Sequence, residues 1–305
     1  MKKITTLFIA VIFASCSQDQ LTSETPITDS SLSVRNGNLI SYKDDTTFLK
    51  EYSFLSEMKD QKQIQNWITK KGHTSLMNVQ NDSEVFQDSI IDNTKVIYSN
   101  ALKAILNEES KFMIDQNVIW LNGNNFYLLD KDNLDKNITE LLAIKSNLNV
   151  YGSLSSTPSQ KNNTTSRTVP NENRSKDWVQ YFDSSNKRLV LVLFNETVKF
   201  SNGDIASSKM FLYNAEQYKS CSFWRCTWKT NNNTINTLNF SSFSSYIYGW
   251  NVLQSNGSFN YSNGSTILIA TNYLDTTNYS NSGTINTSVL YGSFGYNWSQ
   301  YISWY

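Results

Sequence analysis

The chain has 305 residues, with 26 basic and 26 acidic side chains, one His and three Cys. Balanced charge, with a sequence pI near 6.6, offers no electrostatic footprint for nucleic acid. One His excludes a His-rich metal centre, three Cys are too few for a disulfide scaffold, and no Gly-rich phosphate loop points to a cofactor.

Lys2 and Lys3 precede an apolar run, Ile4 to Ala14, interrupted only by Thr5 and Thr6. The run is shorter than the roughly 20 residues that span a bilayer and has the proportions of a secretory h-region. It ends Phe13-Ala14-Ser15-Cys16. This resembles a bacterial lipobox, with Phe13 at the usual Leu and Ser15 at the usual Gly or Ala. The resemblance implies removal of residues 1–15 and diacylglycerol on Cys16, an anchor to the membrane that holds stably once the terminus is multiply acylated. Ordinary cleavage, with Cys16 lost or free, is the alternative. Ser17 stands where an Asp would mark inner-membrane retention, so by the same resemblance the outer membrane is favoured.

Residues 16–38 are polar and without period, which predicts a flexible tether. Residues 39–152 read as a small mixed α/β domain. Asp44 or Asp45 caps a helix with Phe48, Leu49, Tyr52 and Leu55 on one stripe. A second helix carries Ile64, Trp67 and Ile68, stopped by Gly72 after Lys70 and Lys71, and a third is suggested by Val96, Ile97, Leu102, Ile105 and Leu106. Val118–Leu121 and Phe126–Leu129 predict two strands around an Asn122-Gly123 turn, followed by a helix near Ile138–Ile144 and a strand near Leu148–Tyr151.

Residues 153–177 hold two of the three prolines, Pro158 and Pro170, and read as a linker. Residues 178–305 read as an antiparallel, sandwich-like all-β domain, so the fold class is α+β. Trp178–Phe182, Arg188–Phe194 and Thr197–Phe200 are strand-like; Leu189–Phe194 is apolar on both faces and belongs at the centre of a sheet. Near the end, Leu290, Phe294, Tyr296, Trp298, Ile302 and Trp304 share one parity.

Between Thr230 and Tyr305 the only formal charge is Asp275. Asn, Ser and Thr beside aromatic rings suit glycan recognition, because rings stack on apolar sugar faces and amides bond hydroxyls. Tyr246, Tyr248 and Trp250, spaced by two, form the candidate aromatic row, with core packing as the plainer alternative. Cys221 and Cys226 are five residues apart, about 16 Å on a continuous strand, so a disulfide between them requires a turn within Ser222-Phe223-Trp224-Arg225. Those aromatics favour a strand with Trp224, Cys226 and Trp228 on one face. His73 follows a helix stop, where a lone His is normally solvated or capping. Asp44-Asp45, Glu108-Glu109 and Asp130/Asp132 pair only by proximity. Asp130-Lys131-Asp132-Asn133 lacks the Gly and closing Glu of a calcium loop, and no Gly-x-Ser-x-Gly elbow occurs.

Trp67 with Gly72-His73-Thr74-Ser75-Leu76, then Ala104-Ile105-Leu106-Asn107-Glu108, the Val118–Leu129 hairpin and Phe223-Trp224-Arg225-Cys226-Thr227-Trp228 together resemble uncharacterised lipoproteins of Bacteroidetes. The resemblance covers about half the chain, and His73 stands where those proteins carry an aromatic. It implies an α/β region followed by a β-rich part, and no activity. The expectation is a non-enzymatic, lipid-anchored envelope protein whose partner is a glycan or an envelope protein. An assembly subunit pairing through β edges is the alternative, and a hydrolase ranks below both.

Overall fold

A computed structural model describes residues 39–79, 97–155, 175–182, 186–200, 205–223, 225–230, 235–242, 250–252, 257–272, 281–291 and 294–304. Helix α1 (Asp45–Ser56) starts where Asp44 accepts the Thr47 backbone N–H and hydroxyl, both at 2.7 Å. Its stripe of Phe48, Tyr52 and Leu55 is buried. Helix α2 (Gln61–Lys71) is capped by Asp60 and ends at Gly72, whose φ of 72° lets its N–H return to Ile68 O without a Cβ clash. The single turn α3 (Leu76–Val79) follows. Helix α4 (Asn100–Ile105) is capped by Ser99, and α5 (Ile138–Ile144) by an Asn137–Glu140 capping box. Of the residues suggested for the third helix, Leu102 and Ile105 lie in α4, Ile97 and Leu106 flank it, and Val96 is outside the described residues.

Strands β1 (Ser41–Tyr42), β2 (Lys111–Ile114), β3 (Asn117–Asn122), β4 (Asn125–Leu129) and β5 (Asn149–Ser155) form the first part of a sheet. The β2–β3 turn places Asp115 and Gln116 at φ 46° and 66°, the positive pair that a tight hairpin of this twist requires. No Gly marks that turn, and β2 was not legible in the sequence. In the β3–β4 turn, Asn122 faces Asn125, so Gly123-Asn124 is the loop, with Gly123 at φ 60°.

The sheet continues through β6 (Ser175–Phe182), β7 (Lys187–Phe200), β8 (Ile205–Cys221), β9 (Cys226–Thr230), β11 (Trp250–Val252) and β13 (Ser265–Asn272). Its order is β1-β2-β3-β4-β5-β7-β8-β13-β11, with β6 on β7 and β9 on β8. Every described pairing is antiparallel except β1–β2. A second sheet, β12-β10-β14-β15, is built from β10 (Ile235–Ser242), β12 (Gly257–Ser262), β14 (Asn281–Tyr291) and β15 (Phe294–Trp304). The chain is thus α+β with a mixed, largely antiparallel sheet.

The long β7–β8 pair is the spine. One edge of β7 holds two partners in succession: Lys187–Phe194 pairs with β6, and Thr197–Phe200 with β5. Leu189–Phe194, flanked by β6 and β8, is buried throughout, as its unbroken apolar run predicts. The sequence reading divides the chain at 153–177, yet one apolar cluster holds Phe48, Leu102, Phe112 and Phe126 together with Val198, and Phe200 packs against it. Residues on both sides of the linker therefore share a core. The contact is close enough that a Cβ on Gly152 would lie 2.4 Å from Lys199 O. On the opposite face of β2–β4, Met113, Trp120, Tyr127 and Leu129 pack with Leu141 of α5.

Candidate functional site

Of the residues singled out in the sequence, the structure brings Cys221 and Cys226 together. Cys16, Tyr246 and Tyr248 lie outside the described residues. Trp250 opens β11 opposite Asn272, and its side chain also lies outside what is described. The paired acids are engaged separately: Asp44 caps α1, Asp45 accepts the Tyr151 hydroxyl, Glu109 meets the buried Lys111 ammonium at 2.8 Å, and Asp130 accepts from Asn133. Among the described residues no group of three or more His, Cys, Asp or Glu is placed to hold a metal.

Cys221 and Cys226 are joined by a disulfide. The chain reverses within Ser222–Arg225, so the two are direct cross-strand partners with Cα atoms 3.9 Å apart. The continuous strand that the aromatics favoured is not formed there. Ser222 N–H donates to Arg225 O at 2.9 Å, and the turn closes one pair beyond the disulfide.

His73 is buried rather than solvated. Its Nε2 sits 2.7 Å from Ala104 O, and its ring meets Trp67 edge-on. The carbonyl can only accept, so Nε2 carries the proton, and among the described residues Nδ1 has no hydrogen-bond partner. Burial is the largest influence on the ring and lowers its pKa; the Ala104 hydrogen bond raises it and Lys71 lowers it further. Among the described residues no nucleophile hydrogen-bonds to it. The nearby Ser75 hydroxyl donates to Lys103 O at 2.7 Å.

A buried polar cluster centres on Glu196, in the second half of β7. Its Oε1 accepts the hydroxyls of Tyr52 and Ser99, each at 2.6 Å, and its Oε2 accepts the Ser99 N–H at 2.8 Å. One carboxylate therefore fastens α1 and the N-cap of α4 to the spine. The Lys209 ammonium lies 5.5 Å from the centre of the Tyr52 ring. Burial pushes the Glu196 pKa up, while the Ser99 and Tyr52 hydrogen bonds and the charge of Lys103 pull it down. Burial lowers Lys209, against the pull of Glu57 and Glu196. Chemically the cluster can hold a proton. Its carboxylate oxygens are taken by the chain's own donors and Glu196 has no exposed surface, which makes it a fastening rather than a reaction centre.

Sequence reasoning missed this cluster because Asn195-Glu196 was treated as a break between two strands. The signal was present: on one continuous strand, Glu196 shares parity with Val190, Val192, Phe194 and Val198, an acid set on an apolar face.

No family model, curated protein or solved structure matches this chain.

Proposed function

We propose that the chain is a lipid-anchored, non-enzymatic protein of the cell envelope, placed at the outer membrane, whose β region contacts an extracellular polymer, with glycan as the preferred class. The observation that carries the reading is the leader, Lys2-Lys3 followed by Ile4–Ala14 and Phe13-Ala14-Ser15-Cys16. The near-absence of charge from Thr230 to Tyr305, where Asp275 stands alone among Asn, Ser, Thr and aromatic residues, supports polymer contact through stacking and neutral hydrogen bonds. The architecture of this reading is a small mixed α/β part over 39–152 and a sandwich-like β part over 178–305. The β12-β10-β14-β15 sheet would supply the second layer, since β15 lies beside β6 and β12 leads into β13 through Asn263-Gly264.

Mass spectrometry of the purified full chain tests the anchor: a diacylglyceryl thioether on Cys16 is expected, and an intact leader or an unmodified terminus overturns it. A glycan array probed with the full chain tests the ligand class, with binding to neutral polysaccharides expected. A flat array moves the reading to an assembly subunit. One observation favours that second reading: β15 is 11 residues long and, among the described strands, hydrogen-bonds only to β14, which leaves a long sheet edge. Sedimentation of the full chain in detergent would then show an oligomer; a monomer dismisses the assembly role.

A further inference from the structure

The β8–β9 hairpin ends in an arrangement that neither the core nor the Glu196 cluster uses. Ser222 and Arg225 close the turn, and Phe223 lies within it. Such loops select Asn-Gly or Gly-X, because the tight reversal needs backbone angles that bulky residues resist. The bulky Phe223 sits in this turn instead, and the adjacent Cys221–Cys226 bond supplies the closure that such a residue does not favour. Phe223 is fully exposed, so its ring contributes nothing to the chain's own core. The root of the hairpin is braced: the Arg188 guanidinium lies 4.3 Å from the centre of the Trp228 ring, Trp228 meets Tyr181, and Arg188 donates to Gln217. A braced, stapled ribbon therefore presents an aromatic tip to its surroundings.

Within the ribbon itself, Gln217 to Thr230, every formal charge is positive. Lys219, Arg225 and Lys229 are exposed, and between Gln217 and Leu274 the sequence holds no Asp or Glu. Lys219 pairs with Trp228 and Lys229 with Tyr218, so the two lysines sit on opposite faces of the ribbon, with Arg225 at the turn. Tyr218, opposite Lys229, is itself 43% exposed. An aromatic ring at the tip with cations behind it matches the layering of a membrane interface, where rings lie at the acyl boundary and ammonium groups meet lipid phosphates.

We infer that the Phe223 tip inserts into the headgroup–acyl boundary of an anionic bilayer, with Lys219, Arg225 and Lys229 holding it there. Charge complementarity selects this occupant over a neutral polymer. The inference rests on the envelope placement proposed above and adds a second point of membrane contact, remote in sequence from Cys16.

The test uses the full chain with Phe223→p-benzoylphenylalanine, a photocrosslinker, on vesicles of phosphatidylcholine alone or mixed with phosphatidylglycerol. Irradiation is expected to yield lipid adducts at position 223, enriched in the anionic vesicles. Each near-surface cation is worth about fivefold, so Lys219→Gln with Lys229→Gln should lower the adduct yield about 25-fold. These exposed substitutions leave the fold intact, which circular dichroism checks. Equal yields in both vesicles, no lipid adduct, or a cross-link to a protein when the same chain is irradiated in cells overturns the inference. Flotation of the Phe223→Ser chain reads the anchor separately. If that variant floats and position 223 gives no adduct, the tip reading fails and the anchor stands. If position 223 gives adducts and the variant does not float, the anchor fails and the tip stands.

Discussion

Replacing Glu196 by alanine would leave three buried donors facing a void: the hydroxyls of Tyr52 and Ser99 and the Ser99 N–H. An orphaned buried donor costs about 1–3 kcal/mol, and the hydroxyls can recover part of this by rotating, so the expected loss is about 4 kcal/mol. That is a large share of the roughly 5–15 kcal/mol that a folded chain holds in reserve. Glu196→Gln keeps the volume and one acceptor oxygen. It exchanges charge-assisted bonds for neutral ones while removing the burden of a buried charge, for a net cost of about 1–2 kcal/mol. Urea unfolding followed by tryptophan fluorescence measures both.

A pH series adds a readout that packing alone would not move. Burial raises the Glu196 pKa, so the folded state keeps its proton to a higher pH than the unfolded chain does. In the window that opens at about 4.3, the ordinary glutamate value, the folded state binds more protons and this contribution to stability falls as pH rises. Glu196→Gln should abolish that fall. A loss under about 1 kcal/mol for Glu196→Ala, or an unchanged pH profile in Glu196→Gln, would refute the view that this carboxylate fastens the helices to the sheet.

Three further outcomes follow from other parts of the chain. Gly152→Ala drives a Cβ into Lys199 O and should destabilise by about 2 kcal/mol or more, with hydrogen exchange rising in Gly152–Ser155 and Thr197–Phe200; an unperturbed variant would mean that β5 is not held this closely to β7. His73, the single His, should appear in NMR as the Nε2–H tautomer titrating below the ordinary value near 6.5, because burial disfavours its charged form. Since the unfolded chain then binds the extra proton, its contribution to stability is lost as pH falls through that window, and titration at or above 6.5 would contradict its burial. Cys221→Ser with Cys226→Ser should increase exchange over Ser220–Thr227 while lowering global stability by less than the roughly 2 kcal/mol of a short closed loop, since the hairpin end can open by itself; a global loss well beyond that value would place the disulfide in the core's cooperative unit.

The candidate site was less legible than the fold, for a local reason. Glu196 looks like a strand terminator when read beside Asn195 and Thr197, and nothing nearby in sequence says that Tyr52, 144 positions away, will meet it. His73 was misread in the same way: a turn after a helix stop is usually wet, and only the approach of α4 covers it with the Ala104 carbonyl. The cysteines show the converse. Spacing stated correctly that a bridge needs a reversal between them, but strand propensity favoured a straight path through Phe223 and Trp224, and the fold took the turn.

What the sequence settled by itself was the set of elements governed by neighbours a few residues apart. The cap at Asp44 or Asp45 with its Phe48–Tyr52–Leu55 stripe, the Gly72 stop, the hairpin around Gly123 and the two-faced apolar run of Leu189–Phe194 depend on capping, backbone angle and period, all properties of short segments. The tertiary structure alone decided that β7 would hold β6 and β5 end to end on one edge, and that Val198 would enter the core begun by Phe48. It also decided that one buried carboxylate would tie both helices to the sheet. Those contacts join residues far apart in the chain. Their free energy exists only once both surfaces have left water together, and no window of the sequence contains both.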